Sequence, residues 1–189
     1  FIASDIKDEI PPRLSESGPY VILDVHDRQK IHDFIKNHHI NSIYNMSAIL
    51  SAVGENRPQI AWNVNMNGTI NVLELGLKYD MARVIIPSSI AVWGPGVPLE
   101  NTPQETVLKP TSMYGVTKVC AELLCDYYVL KFGLDIRGLR YPGIISHETL
   151  PGGGTTDYAV EIYYEAVDKG KYTCFLKEDT NLPMKYMTE

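Results

Sequence analysis

"RVIIPSSI", residues 83–90, decides how the chain folds. Val84, Ile85 and Ile86 form an unbroken apolar run that stops at Pro87 and two hydroxyls. A strand with one wet face alternates apolar and polar residues; an unbroken run needs cover on both faces, as in a parallel sheet between helices. Working outward, similar runs end at Asp5 and occur in "YVILDV" (20–25), "NSIYNMSA" (41–48) and "LDIRGLRYPG" (134–143). Helical periods lie between them. Asp27 is placed to cap a helix to about His38, with Ile31, Phe34 and Ile35 on one side. A loop is expected at 54–58. A long helix follows over 59–81, with Trp62, Met66, Ile70, Leu73 and Leu77 at helical spacing, and a second over 111–132 is closed by Gly133. The alternation predicts an α/β, doubly wound parallel sheet. Ligands of such sheets sit at the carboxyl ends of the strands, so the informative residues are Asp5, Asp24, Ser47, Ser88, Ser89 and 141–145.

Composition narrows the function classes. The chain has 189 residues, 44% hydrophobic and 21% charged, which suits a globular domain with a proper core. A net charge of −6 without a Lys/Arg cluster speaks against a nucleic-acid surface. There is no run of 18 apolar residues, so no membrane span is expected. Cys120, Cys125 and Cys174 contain no CxxC pair and read as free thiols; the five histidines have no ligand spacing, so no metal is expected. The chain opens without Met and closes without a final element, which reads as an interior piece of a longer protein.

The helix over 111–132 holds Tyr114 and Lys118 four apart, and Tyr127 and Lys131 repeat that spacing. At ~100° per residue the second pair points about 140° from the first, so both cannot face one site. The first turn of the helix faces the strand ends, and Ser89 ends the preceding strand. Ser89, Tyr114 and Lys118 therefore form the candidate catalytic set. A free phenol has a pKa near ~10 and is a poor base at neutral pH. A nearby ammonium stabilises the phenolate and lowers that value. Lys118 can do this while holding a ribose hydroxyl, and Ser89 can fix a substrate oxygen for proton transfer. Asp5 suits a ribose hydroxyl and favours NAD over NADP, because a carboxylate repels a 2′-phosphate; its bland alternative is a turn-capping Asp.

"PSSIAVWG", "YGVTK", "LRYPG" and "NMNGTINVLE" resemble the extended short-chain dehydrogenase/reductases, which include nucleotide-sugar epimerases. "SAILSAVGE", "LRYPGIIS", "PGGGTTDYAVEIYYEA" and "LPMKYM" are similar to the short-chain L-threonine 3-dehydrogenase family. That resemblance implies an NAD-binding Rossmann domain over 1–145 and part of a substrate-binding region over 146–189. It implies NAD-dependent oxidation of L-threonine at C3 to 2-amino-3-oxobutyrate, in the cytoplasm or the mitochondrial matrix, by a homodimer. Tyr114 resembles the general base, Lys118 its partner on the nicotinamide ribose, and Ser89 the residue that positions the hydroxyl. The implied cofactor contacts are Asp5, Ile6, Asp24, Val25, Ser47, Ala48, Asn65, Tyr141, Gly143 and Ile144, with Tyr114 and Lys118. The implied substrate contacts are Ser51, Ser88, Gly154, Thr155 and Thr156, with Ser89 and Tyr114. The family's GxxGxxG loop would fall about 25 to 30 residues before Asp5, ahead of this chain. Lys185 stands where the family more often has an apolar residue. For the dimer, Leu124, Tyr127 and Tyr128 are the expected seam.

Two other readings stand beside this one. A nucleotide-sugar epimerase or dehydratase would use the same Ser, Tyr and Lys. Its diphosphate asks for basic groups, and residues 146–165 contain no Lys or Arg. A zwitterionic amino acid asks for short hydroxyls and backbone N–H groups, which "GGGTT" can provide. The other reading is a truncated, non-catalytic relative.

Overall fold

The computed structural model describes residues 1–10, 16, 18–146, 150, 152 and 154–187. Gly153 of the "GGGTT" stretch lies outside the described residues. The architecture is the expected one: an α/β fold of parallel strands joined by helical crossovers. β1 (Ala3–Asp5) pairs in parallel with β2 (Tyr20–Ile22). β3 (Ser42–Tyr44), β4 (Arg83–Ile85) and β6 (Ile136–Arg137) form a second parallel sheet in that order. β5 (Ser88–Ser89) and β7 (Arg140–Tyr141) prolong it, because Val84, Ile86 and Ser88 donate in turn to the carbonyls of Asp135, Arg137 and Leu139, each at 2.9 Å. β8 (Gly143–Ile145) pairs in parallel with β9 (Met184–Tyr186). The expected strand over 134–143 is thus cut into three pieces. Pro142 has no N–H for a ladder, and a side chain at Gly138 would come within 2.4 Å of the Ile86 carbonyl.

α1 (Arg28–His38) begins where expected: the Asp27 carboxylate accepts from Lys30 N at 2.9 Å. The expected loop over 54–58 is instead α2 (Ser51–Asn56) followed by α3 (Pro58–Trp62). Pro58 occupies the first helical position, where its missing N–H costs nothing, and Gly54 is buried against Ala61. The long helix continues through a π-turn, Asn63–Asn67, into α4 (Gly68–Lys78). Of the expected apolar stripe Met66 and Leu73 are buried, whereas Trp62, Ile70 and Leu77 are exposed; Val72, Leu75 and Gly76 complete the inward side of α4. α5 (Met113–Phe132) starts on Ser112, whose hydroxyl accepts from Gly115 N at 3.1 Å, and stops on left-handed Gly133. α6 (Tyr158–Lys169) crosses between β8 and β9.

The core lies where α1, α4 and α5 cover the second sheet. Ile31, Ile35, Val72, Leu73, Val84 and Tyr128 meet there, and Leu73 and Val84 are fully buried. Each such aliphatic side chain contributes about 1.5–3 kcal/mol. Tyr128, one of the three expected seam residues, is spent inward: its hydroxyl donates to Glu74 between α5 and α4, and Leu124 packs on the core. Only Tyr127 of the three faces outward, at 51% exposed. Among the described residues no helix is long and apolar enough to cross a membrane, and no cluster of three His, Cys, Asp or Glu could hold a metal.

Candidate active site

The strand end 87–89 and the first turns of α5 face each other. Residues 114, 118 and 122 succeed one another at one-turn intervals on one side of the helix. Lys118 Nζ donates to the Pro87 carbonyl at 2.7 Å. The Ser88 hydroxyl donates to Glu122 Oε1 at 2.5 Å. The Ser89 side chain is hydrogen-bonded to the Tyr114 phenol. Ser88 and Ser89 thus both reach α5, Ser88 at Glu122 and Ser89 at Tyr114. The structure brings Ser89, Tyr114 and Lys118 together and sends Ser88 to Glu122. Tyr127 and Lys131 lie on the exposed part of the helix.

Burial is the largest influence on both titrating groups: it raises the Tyr114 phenol above its ordinary value and lowers the Lys118 ammonium. Lys118 Nζ stands 5.5 Å from the centre of the Tyr114 ring while bonded to Pro87. The expected lowering of the phenol by the ammonium is therefore not the dominant effect in this geometry. It requires Nζ to approach the phenol oxygen.

A second group of contacts locks the frame. Asn65, buried inside the π-turn, accepts from Ile49 N at 2.8 Å and donates to the Ile49 carbonyl and to Thr117 Oγ1. Thr117, fully buried, donates its own hydroxyl proton to the Tyr114 carbonyl at 2.8 Å. Gly115 lets α5 close on the preceding turn; a side chain there would come within 2.3 Å of the Ala91 carbonyl. Glu55 of α2 accepts from Met113 N at 2.5 Å, a carboxylate on the free N–H groups of α5. Thr117, Glu55, Glu122 and Arg140 were not singled out from sequence. Only Glu122 left a local signal, four residues past Lys118 on the same stripe.

Ser51 and Thr155 meet across 104 residues, with Thr155 N donating to Ser51 Oγ at 3.2 Å. Ser51 opens α2 and Glu55 lies one turn on, so the glycine loop and α5 grip the same short helix. Gly152 and Gly154 turn their N–H groups to Asp157 Oδ2, both at 2.8 Å, rather than outward. Thr156 packs against Gly143, where a Cβ would lie 2.8 Å from Thr156 Cγ2.

The remaining candidates line the strand tips. Asp5 Oδ1 accepts from Ile6 N and Lys7 N, the turn-capping arrangement, and among the described residues its Oδ2 has no partner. Ile6 is 67% exposed. Asp24 is held by the His26 N–H and ring, which keep its carboxyl below the ordinary range. Val25 abuts Gly68 and its carbonyl accepts from Asn71. Ser47 donates to buried Asn45 at 2.5 Å, and Ala48 is half-buried beside it. Tyr141 and Ile144 are exposed, and Gly143 is buried. These residues suit a dinucleotide: a pinned carboxylate with one free oxygen fits a ribose diol, and exposed apolar side chains at the strand tips fit flat rings.

A fold of parallel strands whose tips carry this Ser–Tyr–Lys set defines a nucleotide-dependent oxidoreductase or epimerase architecture. The family model described as "NAD dependent epimerase/dehydratase family" matches residues 4–179, and the chain belongs to that family. An uncharacterized epimerase/dehydratase of Staphylococcus haemolyticus is 46% identical over 188 residues, covering 100% of this chain and 59% of the relative. The solved L-threonine dehydrogenase of Phytophthora infestans is 52% identical, with a TM-score of 0.88 over 97% of this chain and 58% of that one. That of Clostridium difficile is 48% identical, with a TM-score of 0.90 over 98% and 58%. The chain therefore spans under three fifths of these relatives.

Proposed function

We propose that the whole protein oxidises L-threonine at C3 to 2-amino-3-oxobutyrate with NAD. The observation that carries this reading is the 48% and 52% identity, over nearly the whole chain, to proteins named as L-threonine dehydrogenases. NAD, when bound, supplies the hydride acceptor. Ser89 orients the substrate hydroxyl and Tyr114 takes its proton as C3 gives up hydride. Lys118 leaves Pro87 for the phenol oxygen and the ribose, and so stabilises the phenolate. Ser51 and Thr155 hold the charged end of the amino acid. Asp5 takes the adenosine ribose. Ser88 is left out of the substrate set, because its hydroxyl serves Glu122.

Residues 1–145 are proposed as the cofactor domain and 146–189 as part of the substrate domain, stitched together by the β8–β9 pairing. A second copy is proposed to pack on the outward side of α5, where Leu123, Tyr127 and Leu130 lie 64%, 51% and 87% exposed. The test is NADH production by the full-length protein offered L-threonine, allo-threonine, serine and UDP-sugars. Threonine should be the best substrate. Turnover of a UDP-sugar without threonine turnover overturns the reading in favour of an epimerase or dehydratase.

A further inference from the structure

The strand end 87–89 holds α5 by three successive side chains, and only Tyr114 and Lys118 have a part in the chemistry proposed above. The third, Glu122, is fully committed. Its Oε1 accepts from Ser88 and from Arg140 Nε at 2.9 Å, and its Oε2 from Arg140 Nη2 at 2.7 Å. Arg140 also donates to the Gln104 carbonyl at 2.7 Å and lies over the Trp93 ring. The pair is mostly out of water, at 14% and 23% exposed. It borders a cavity of about 320 Å³ between α5 and the strand segment 136–140, into which Lys118, Cys125, Asp126 and Arg137 also face.

Removing one member of a buried ion pair leaves the other charge to find a new partner. For Glu122 the choice is narrow. Arg137 is held by Asp135 through two bonds, at 2.8 and 2.9 Å. Cys125 and Asp126 offer no positive charge. Lys118 remains, one helical turn away; among the described residues its one hydrogen bond is to the Pro87 carbonyl.

We infer that Arg140 is a positioning residue: it neutralises Glu122 and thereby keeps Lys118 available to Tyr114. The inference rests on Tyr114 being the general base. Without Arg140, Glu122 draws Lys118 away and adds a negative charge near the phenol. Both effects disfavour the phenolate, so the rate reaches its plateau only at higher pH. Without Glu122, the Arg140 charge is uncompensated and favours the phenolate, so the plateau is reached at lower pH.

The experiment is the pH profile of kcat/KM for threonine oxidation by the full-length protein, with circular dichroism as the check on folding. In Arg140→Met the acid limb should move alkaline by about one pH unit, with a loss of roughly 10-fold at neutral pH. In Glu122→Gln the limb should move the opposite way. In the double variant Glu122→Gln/Arg140→Met it should return to the wild-type position. A merely structural pair would lower the rate in all three and leave the limb in place, and that result overturns the proposal. Should Arg140→Met fail to fold, an unmoved or alkaline limb in Glu122→Gln overturns it equally. A Tyr114→Phe variant that still turns over removes the base assignment and this proposal together. A dead Tyr114→Phe beside unmoved limbs removes this proposal alone.

Discussion

α5 and α6 are both long enough for a full apolar side, and they are held very differently. α5 buries Gly115, Thr117, Ala121 and Tyr128, and polar contacts from three other segments grip its first turns. α6 buries no residue; its loop is tied to the rest by Thr155–Ser51, and its two neighbouring strands by β8–β9 pairing. A reacting group needs sub-ångström placement, and a close-packed frame supplies it. A group that recognises a small polar molecule can sit on a loosely held element. Substitutions in the α5 frame should therefore act on kcat, and those around the glycine loop on KM.

The sharpest break comes at Tyr114. Tyr114→Phe in the full-length protein should lower kcat by about 10²–10⁴-fold with NAD affinity nearly unchanged, by steady-state kinetics and cofactor titration. Tyr127→Phe should match wild type; the reverse outcome would transfer the chemistry to the second pair. Gly115→Ala comes next. Its methyl would force α5 off the Ala91 carbonyl, at a cost of about 1–3 kcal/mol visible in thermal unfolding, and kcat should fall with KM little changed. A fall confined to KM would mean that α5 is not the rigid member. Thr155→Ala should act the other way round and raise KM for threonine about 3–10-fold with kcat largely kept, because it removes one hydrogen-bonding group on the looser element. Smallest is Asp5→Ser, which should weaken NAD binding a few-fold and narrow the preference over NADP. Equal efficiency with NADP in the unaltered protein would end the role given to Asp5. Because burial raises the phenol, kcat/KM should climb as pH rises from neutral, where more of Tyr114 is ionised.

What was legible in the sequence was local. Asp27, Ser112 and Gly133 stand at helix ends because their chemistry works within a few residues, and the cap at Asp27 and the stop at Gly133 were expected on that ground. The apolar runs gave the parallel sheet for the same reason. What was missed depended on distant partners. Gly54 and Pro58 punctuate a loop when read alone, but burial against Ala61 and a helix start at Pro58 make them parts of two short helices. Ser88 and Ser89 look equivalent in "PSSI"; only their different partners on α5, Glu122 and Tyr114, separate them. Arg140 reads as the polar end of a strand until Glu122, 18 residues earlier, is placed beside it. Asp157 gave no hint that it would take the glycine N–H groups offered to a substrate.

The π-turn at Asn63–Asn67 carries one residue more than a regular helical turn needs. Deleting any single residue there would let the helix revert to ordinary α geometry. The segments on either side would keep their facing, because the extra residue is taken up as a local bulge. What would change is the bulge itself, which sets the Asn65 amide between Ile49 and Thr117 and so anchors the segment 47–50. A one-residue deletion there should therefore loosen 47–50 while leaving the direction of the long helix intact, and point variants at Asn63 or Asn67 should leave both in place.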